Sequence, residues 1–224
     1  MIILIQTDPE GPPGLAFSVL QELGVPLEVL HVYGPDRLRE FSGVEGVIVL
    51  GGALGVHDSQ EFPFLLKVKE SIKEVVAKKI PFLGICLGGQ LLADVLGGKV
   101  HRQSNGEVGC YPISLTEEGT RDPLFLGLPK QFITFQWHED SFEPPAGAVH
   151  LASSSRCHYQ AFRYGPNAYG IQFHPEVDQE MISMWTEDEE QYQDLILPFE
   201  QIEIAYRVAA NVLFDNFLKL AKIQ

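Results

Sequence analysis

The sequence predicts an α/β fold: an open, mostly parallel sheet with helices on both faces. Two observations carry this. Short apolar runs alternate with amphipathic runs of helical period through the first hundred residues, and glycine-rich turns separate them. Strand, helix, strand, helix at such short intervals implies parallel pairing. A third observation sets the scale, because 224 residues with 45% hydrophobic and 21% charged side chains suit one α/β domain with a sizeable core.

The elements follow in order. Met1–Gln6 is an apolar strand ended by the turn-rich "TDPEGPPG". Leu15–Leu23 has helical spacing and stops at Gly24. Pro26–Val32 reads as a second strand, and Gly46–Leu50 as a buried strand running into Gly51-Gly52. Phe62–Lys79 is a helix with Lys67, Lys69, Glu70, Lys73 and Glu74 outward. Pro81–Ile85 is again a buried strand, and Leu87–Leu96 a helix capped by Gly97-Gly98. After Val100 the rhythm changes to short strands, "EVGCYPISL", "QFITFQWHEDSF", "AVHLASSS", "YQAFRYG" and "AYGIQFHPEV". Residues 202–221 form a terminal amphipathic helix, and the acidic cluster Glu187–Glu190 reads as solvated surface. No repeat or linker divides the chain, so residues 1–224 are expected to form a single domain.

Composition narrows the function classes. A net charge of −14 disfavours nucleic acid and anionic membranes as partners. No apolar run is long enough to span a bilayer. The opening "MIILIQTDPEG" lacks a basic leader and reads as a strand, so a cytoplasmic location is expected. Cys86, Cys110 and Cys157 have neither disulfide nor zinc-ligand spacing, and no metal site is expected.

Chemistry concentrates at "GICLG", Gly84–Gly88, where a strand ends at Cys86 and a helix begins. In open α/β sheets, ligands sit beyond the carboxyl ends of the strands. A tight turn there projects the side chain outward, small neighbours let a substrate approach, and the helix N-terminus favours a thiolate. This is the G-x-C-x-G form of a nucleophile elbow. Taken alone, the motif equally describes a small buried residue at a strand–helix turn.

A thiolate needs a base, and the base needs an orienting group. Of the seven histidines, His174 stands out: it ends the run from Ala168 to Phe173, and Pro175 and Glu176 follow. Residues two apart in an extended chain share a side, so Glu176 can reach the His174 ring and set its tautomer. Backbone N–H groups of Gly52, in "VIVLGGALG", and of Leu87 are candidates for an oxyanion hole. Singly, His174 also fits an ordinary strand-end histidine and Gly51-Gly52 a simple turn; together with Cys86 they reinforce one another.

In combination, Gly51-Gly52, "GICLGGQ" (Gly84–Gln90) and "FHPEV" (Phe173–Val177) resemble the class I, triad-type glutamine amidotransferases, from about Met1 to Val177. "GEVGCYPI" and "FQWHEDSF" look like the glutaminase domain of GMP synthetase. Two departures are mild: Ala53 stands where proline is common, and "WHED" where "HGD" is common. The resemblance implies a flavodoxin-like sheet and glutamine amide hydrolysis, with Cys86 attacking, His174 shuttling protons and Glu176 orienting His174. It implies that Gln90 and the segment around Gln136, Trp137 and His138 hold the amino-acid end of glutamine, and that this half-reaction needs no cofactor.

Family members pass ammonia to a synthetase, for which a chain ending at Gln224 has no room. The expectations are therefore an amidotransferase subunit or glutaminase with an ammonia-accepting partner, or a free-standing hydrolase of γ-glutamyl peptides or amines. A non-catalytic relative is the third reading, disfavoured by the intact Cys-His-Glu set.

Overall fold

The computed structural model describes residues 1–34, 38 and 40–223. Its elements are β1 (Ile2–Gln6), α1 (Gly14–Glu22), β2 (Leu27–His31), β3 (Gly46–Val49), α2 (Phe64–Ala77), β4 (Phe82–Ile85), α3 (Leu87–Val95), β5 (Lys99–His101), β6 (Glu107–Leu115), β7 (Gln131–His138), β8 (Ser141–Glu143), β9 (Val149–Ser153), β10 (Ala161–Tyr164), β11 (Ala168–Ile171), α4 (Gln179–Trp185) and α5 (Glu189–Leu220).

One nine-stranded sheet runs β2-β1-β3-β4-β11-β10-β9-β6-β7. The block from β2 to β11 is parallel throughout. Antiparallel pairing carries the sheet on from β11 to β7. A separate ribbon pairs β5 with β8.

Alternation along the central strands builds a core on each face. Ile2 and Leu4 of β1 join α1 and α5 on one side, whereas Ile3 and Ile5 join α2 and α3 on the other. Leu65, Val68, Ile72 and Val75 supply the buried stripe of α2. Both faces of the parallel block are thus covered, which is why its strands read as continuous apolar runs.

Three boundaries differ from the sequence reading. "QFITFQWHEDSF" is not one strand: β7 ends at His138 and β8 begins at Ser141. The turn between them brings His138 and Asp140 together, with the ring Nδ1 2.9 Å from the Asp140 carbonyl. The run from Ala168 ends as a strand at Ile171, and His174 instead forms an isolated bridge to Phe135. The last helix starts at Glu189, well before residue 202. Pro198 lies inside it and costs a backbone hydrogen bond. Burial of Leu195, Ile196 and Phe199 around that proline offsets the cost. The acidic cluster is the start of this helix: the Asp188 side chain accepts from the Gln191 N–H at 2.9 Å, and the Gln191 side chain accepts from the Glu187 N–H at 2.8 Å.

The turn from β4 into α3 depends on close backbone packing. A Cβ on Gly84 would lie 2.3 Å from the Gly88 carbonyl oxygen, and one on Gly88 would lie 2.2 Å from that of Val49. The first turn of α3 therefore sits directly on the backbones of β3 and β4. Gly88→Ala is expected to cost about 1–3 kcal/mol by overpacking. Thermal unfolding checks this, and an unchanged Tm would contradict the packing.

Candidate active site

Cys86 occupies the N-cap of α3 with φ +48° and ψ −107°, a backbone state that non-glycine residues rarely adopt. Two hydrogen bonds hold it there. Its N–H donates to the Ile171 carbonyl at 2.8 Å, and its carbonyl accepts from the Gln90 N–H at 2.9 Å. The sequence-predicted elbow is present, and its strain is borne by the β4–β11 pair and the glycines beneath it.

His174 is brought to Cys86 from the other side. A Cβ placed on Gly51 would lie 2.9 Å from Cε1 of His174 and 3.4 Å from Cβ of Cys86, so Gly51 leaves the space in which the two side chains approach. The His174 N–H donates to the Phe135 carbonyl at 2.9 Å, and its own carbonyl accepts from the Tyr206 hydroxyl of α5 at 2.8 Å. Nδ1 of the ring meets Oε1 of Glu176 at 2.7 Å. Nε2 is buried and without a hydrogen-bond partner among the described residues. Burial by itself opposes a proton on this ring. The Glu176 carboxylate and then the Cys86 sulfur outweigh it and hold the His174 pKa well above 6.5.

The glycine pair is fixed by the loop after β1. Thr7 Oγ1 donates to the Gly51 carbonyl at 2.9 Å, and the Ala53 N–H donates to Asp8 Oδ2 at 2.9 Å. A Cβ on Gly52 would lie 2.9 Å from that of Asp8. Gly52 lines the cavity in front of Cys86, and Leu87, buried, supplies the first N–H of α3.

That cavity measures about 340 Å³. Cys86, Gln90, Trp137, His138 and His174 all line it. Gln136 does not: its side chain is fully buried behind the wall and donates to Gln160 Oε1 at 3.0 Å. His138 presents its ring to the cavity with both nitrogens engaged, Nδ1 by the Asp140 carbonyl and Nε2 by Glu107 Oε2 at 3.3 Å.

Two residues at the site escape the sequence reading. Gln172 donates from Nε2 to Cys86 Sγ at 3.5 Å, while its Oε1 accepts from Gln90 at 3.3 Å. A signal for it exists, since Gln172 is two residues before His174 in the same motif. Trp185, packed at 5.3 Å centroid distance from His174, comes from α4, a helix to which the sequence reading assigns nothing.

Glu107, His138 and Cys157 also converge, with donor atoms within 4.8 Å of one another. Glu107 is already saturated: Ser154 donates to Oε1 at 2.8 Å, and Gln160 donates to Oε2 at 2.6 Å beside His138. The cluster is a hydrogen-bonded support for the cavity wall, and Cys157 adds a thiol that donates to the Tyr159 carbonyl.

The family model described as Glutamine amidotransferase class-I matches residues 15–184. The chain belongs to this family. It is 39% identical over 166 residues to a separate glutamine-hydrolyzing chain of the GMP synthase of Saccharolobus solfataricus, covering 73% of this chain and 82% of that one. Against the GMP synthase of Borreliella burgdorferi it is 34% identical over 159 residues, but spans only 29% of that relative's length. In three dimensions it is similar to a glutamine amidotransferase from Thermotoga maritima, with TM-score 0.88, 31% identity and coverage of 99% and 97% of the two chains. A glutamine amidotransferase from Methylobacillus flagellatus gives TM-score 0.85 at 25% identity, covering 100% and 95%. Membership makes the chain an enzyme of the amidotransferase type. Among the described residues, no helix is long and apolar enough to cross a membrane.

The three thiols differ in their surroundings. Burial pushes Cys110 up to about 11, and burial with the Glu107 charge pushes Cys157 up to about 12. Cys86 instead opens onto the cavity and receives the Gln172 N–H. Limited alkylation at about pH 8, near the ordinary thiol range, read by peptide mass spectrometry, is expected to modify Cys86 first. Prior labelling of Cys110 or Cys157 would overturn the assignment.

Proposed function

We propose that this chain hydrolyses the side-chain amide of glutamine, or a related γ-glutamyl amide, through a thioester on Cys86. One observation carries the reading. A cysteine strained at a strand–helix turn faces a buried histidine whose far nitrogen is already held by a carboxylate.

The steps follow from that geometry. The Cys86 thiolate attacks the amide carbon, and the carbonyl oxygen takes negative charge against the N–H groups of Gly52 and Leu87. Protonated His174 gives its Nε2 proton to the leaving nitrogen as the carbon–nitrogen bond breaks. The neutral ring then removes a proton from water, which attacks the thioester and releases glutamate. Glu176 holds Nδ1 throughout and keeps Nε2 the working nitrogen. Gln172 offers its N–H to the sulfur and positions it.

Gln90 spends its amide hydrogens on Gln172 Oε1 and, at 3.4 Å, on the Asp140 carbonyl. That leaves the Gln90 carbonyl as its contact for the substrate ammonium. Trp137, His138 and the adjoining backbone wall the same end, with Gln136 acting from behind through Gln160. The names of the GMP synthase relatives support a synthetase partner that takes up the ammonia. The location read from the sequence, the cytoplasm, suits such an exchange.

Cys86→Ala is expected to abolish glutamate release from glutamine with the circular dichroism spectrum unchanged. Retained turnover in that variant would refute the mechanism. Glu176→Gln removes the strongest influence that raises the His174 pKa, so the ring loses its proton at lower pH. The alkaline limb of kcat/KM should move to lower pH, with activity down about 10²–10⁴-fold. A pH–rate profile checks this, and an alkaline limb that stays in place would remove Glu176 from its role.

A further inference from the structure

The cavity has a chemical bias that release of ammonia does not require. Asp8, Glu10, Glu139 and Asp140 all line it, and among the described residues no lysine or arginine does. None of these four carboxylates takes part in an ion pair among the described residues. The two histidines of the wall are each bonded to a buried glutamate, so their charge is locally matched. A ligand entering here meets uncompensated negative charge beside aromatic surface. One buried group in the wall still lacks a partner, Nε2 of His174.

The charges divide between two ends. Glu139 and Asp140 stand in the turn after β7, beside Gln90, where the α-ammonium of a γ-glutamyl head belongs. Asp8 and Glu10 stand in the loop after β1, next to Trp185, whose indole N–H donates to the Glu10 carbonyl. The leaving nitrogen must take its proton from His174 Nε2. Whatever that nitrogen carries therefore departs beside His174, along the Trp185 ring 5.3 Å from it and the Trp137 ring 5.5 Å from Trp185. The departing group meets two indoles and then the carboxylates of Asp8 and Glu10.

We propose that the leaving side of this site accepts a cationic amine, so that the chain hydrolyses γ-glutamyl conjugates of diamines or polyamines in preference to neutral or anionic γ-glutamyl amides. The inference rests on the amide-hydrolysis reading above and adds the class of leaving group. An ammonium tail is attracted by the faces of Trp137 and Trp185 and by the carboxylates at the rim. A tail ending in a carboxylate is repelled by the same groups. The reaction balances without a further reagent. Sulfur bonds to the γ-carbon as the carbon–nitrogen bond breaks, the His174 proton goes to the amine, and water then cleaves the thioester to glutamate and free thiol.

The test compares glutamate release from four substrates: glutamine, the γ-glutamyl amide of n-butylamine, that of 1,4-diaminobutane and that of 4-aminobutyrate. The diaminobutane conjugate should exceed its neutral counterpart in kcat/KM by about tenfold, the scale of one cation–aromatic contact reinforced by charge. The aminobutyrate conjugate should fall below both, and added salt should compress the differences. The ratio between conjugates is the readout, so a general loss of activity in a variant cancels. Glu10→Gln should narrow the ratio and Glu10→Lys should shift it toward the anionic conjugate. Turnover of glutamine with no preference among the conjugates, or preference for the neutral or anionic one, overturns this proposal alone. Absence of turnover on all four, with Cys86 still readily alkylated, overturns the amide-hydrolysis reading together with it.

Discussion

Everything at this site hangs on the parallel pairing of β4 with β11. Ile85 and Ile171 are register partners, and the next residue on each strand is Cys86 or Gln172. The Cys86 N–H closes the pair by bonding to Ile171. A slip of one residue would turn the side chains of one strand to the opposite face and separate sulfur from amide. The contact is also distant in sequence, with Cys86 and Gln172 separated by 86 positions. Between them the chain lays down the α3 helix, the ribbon and the antiparallel wing. The nucleophile's surroundings are therefore among the later contacts that the fold can complete.

The interior holds two histidine–carboxylate pairs that differ in one respect. His138 has both ring nitrogens engaged, by Glu107 and by a backbone carbonyl, and its glutamate is saturated by Ser154 and Gln160. His174 has one nitrogen engaged and one open, and Glu176 likewise keeps Oε2 without a partner among the described residues. A buried polar group with every bond made rigidifies what surrounds it. One with a bond withheld carries a desolvation cost that an incoming group can relieve. The same residue types thus make a support in one place and a reactive centre in the other.

Much of this is legible in the sequence. Cys86 is marked by the glycines that crowd it, and His174 with Glu176 by a spacing of two around a proline. Both signals are local, because the backbone geometry they require can be met by few residues. Gln172 obeys the same period of two but is hidden among buried strand residues, where a glutamine usually means a satisfied amide. The break between β7 and β8 is hidden because "WHEDSF" continues the alternation of a strand while the chain turns. Pro198 conceals the true start of α5: local propensity says that a helix stops there, and packing of Leu195, Ile196 and Phe199 overrides it. Gln136 follows from the same limit, since sequence position brings it near the site but cannot say on which side of the wall its amide lies.

The Tyr206 hydroxyl on the carbonyl of His174 has a mechanical consequence. The sulfur is seated by the parallel sheet, through Ile171 and the glycines under α3. The imidazole is moored elsewhere, to Phe135 in the antiparallel wing and to a 32-residue rod that lies across one face of the sheet. Along that rod Ile204 and Val208, on either side of Tyr206, point to solvent. Nucleophile and base are thus carried on separate mounts, and the gap between them behaves like the gap in a caliper whose jaws are clamped to different arms. Its setting belongs to no single loop but to how the rod, the wing and the sheet are seated on one another.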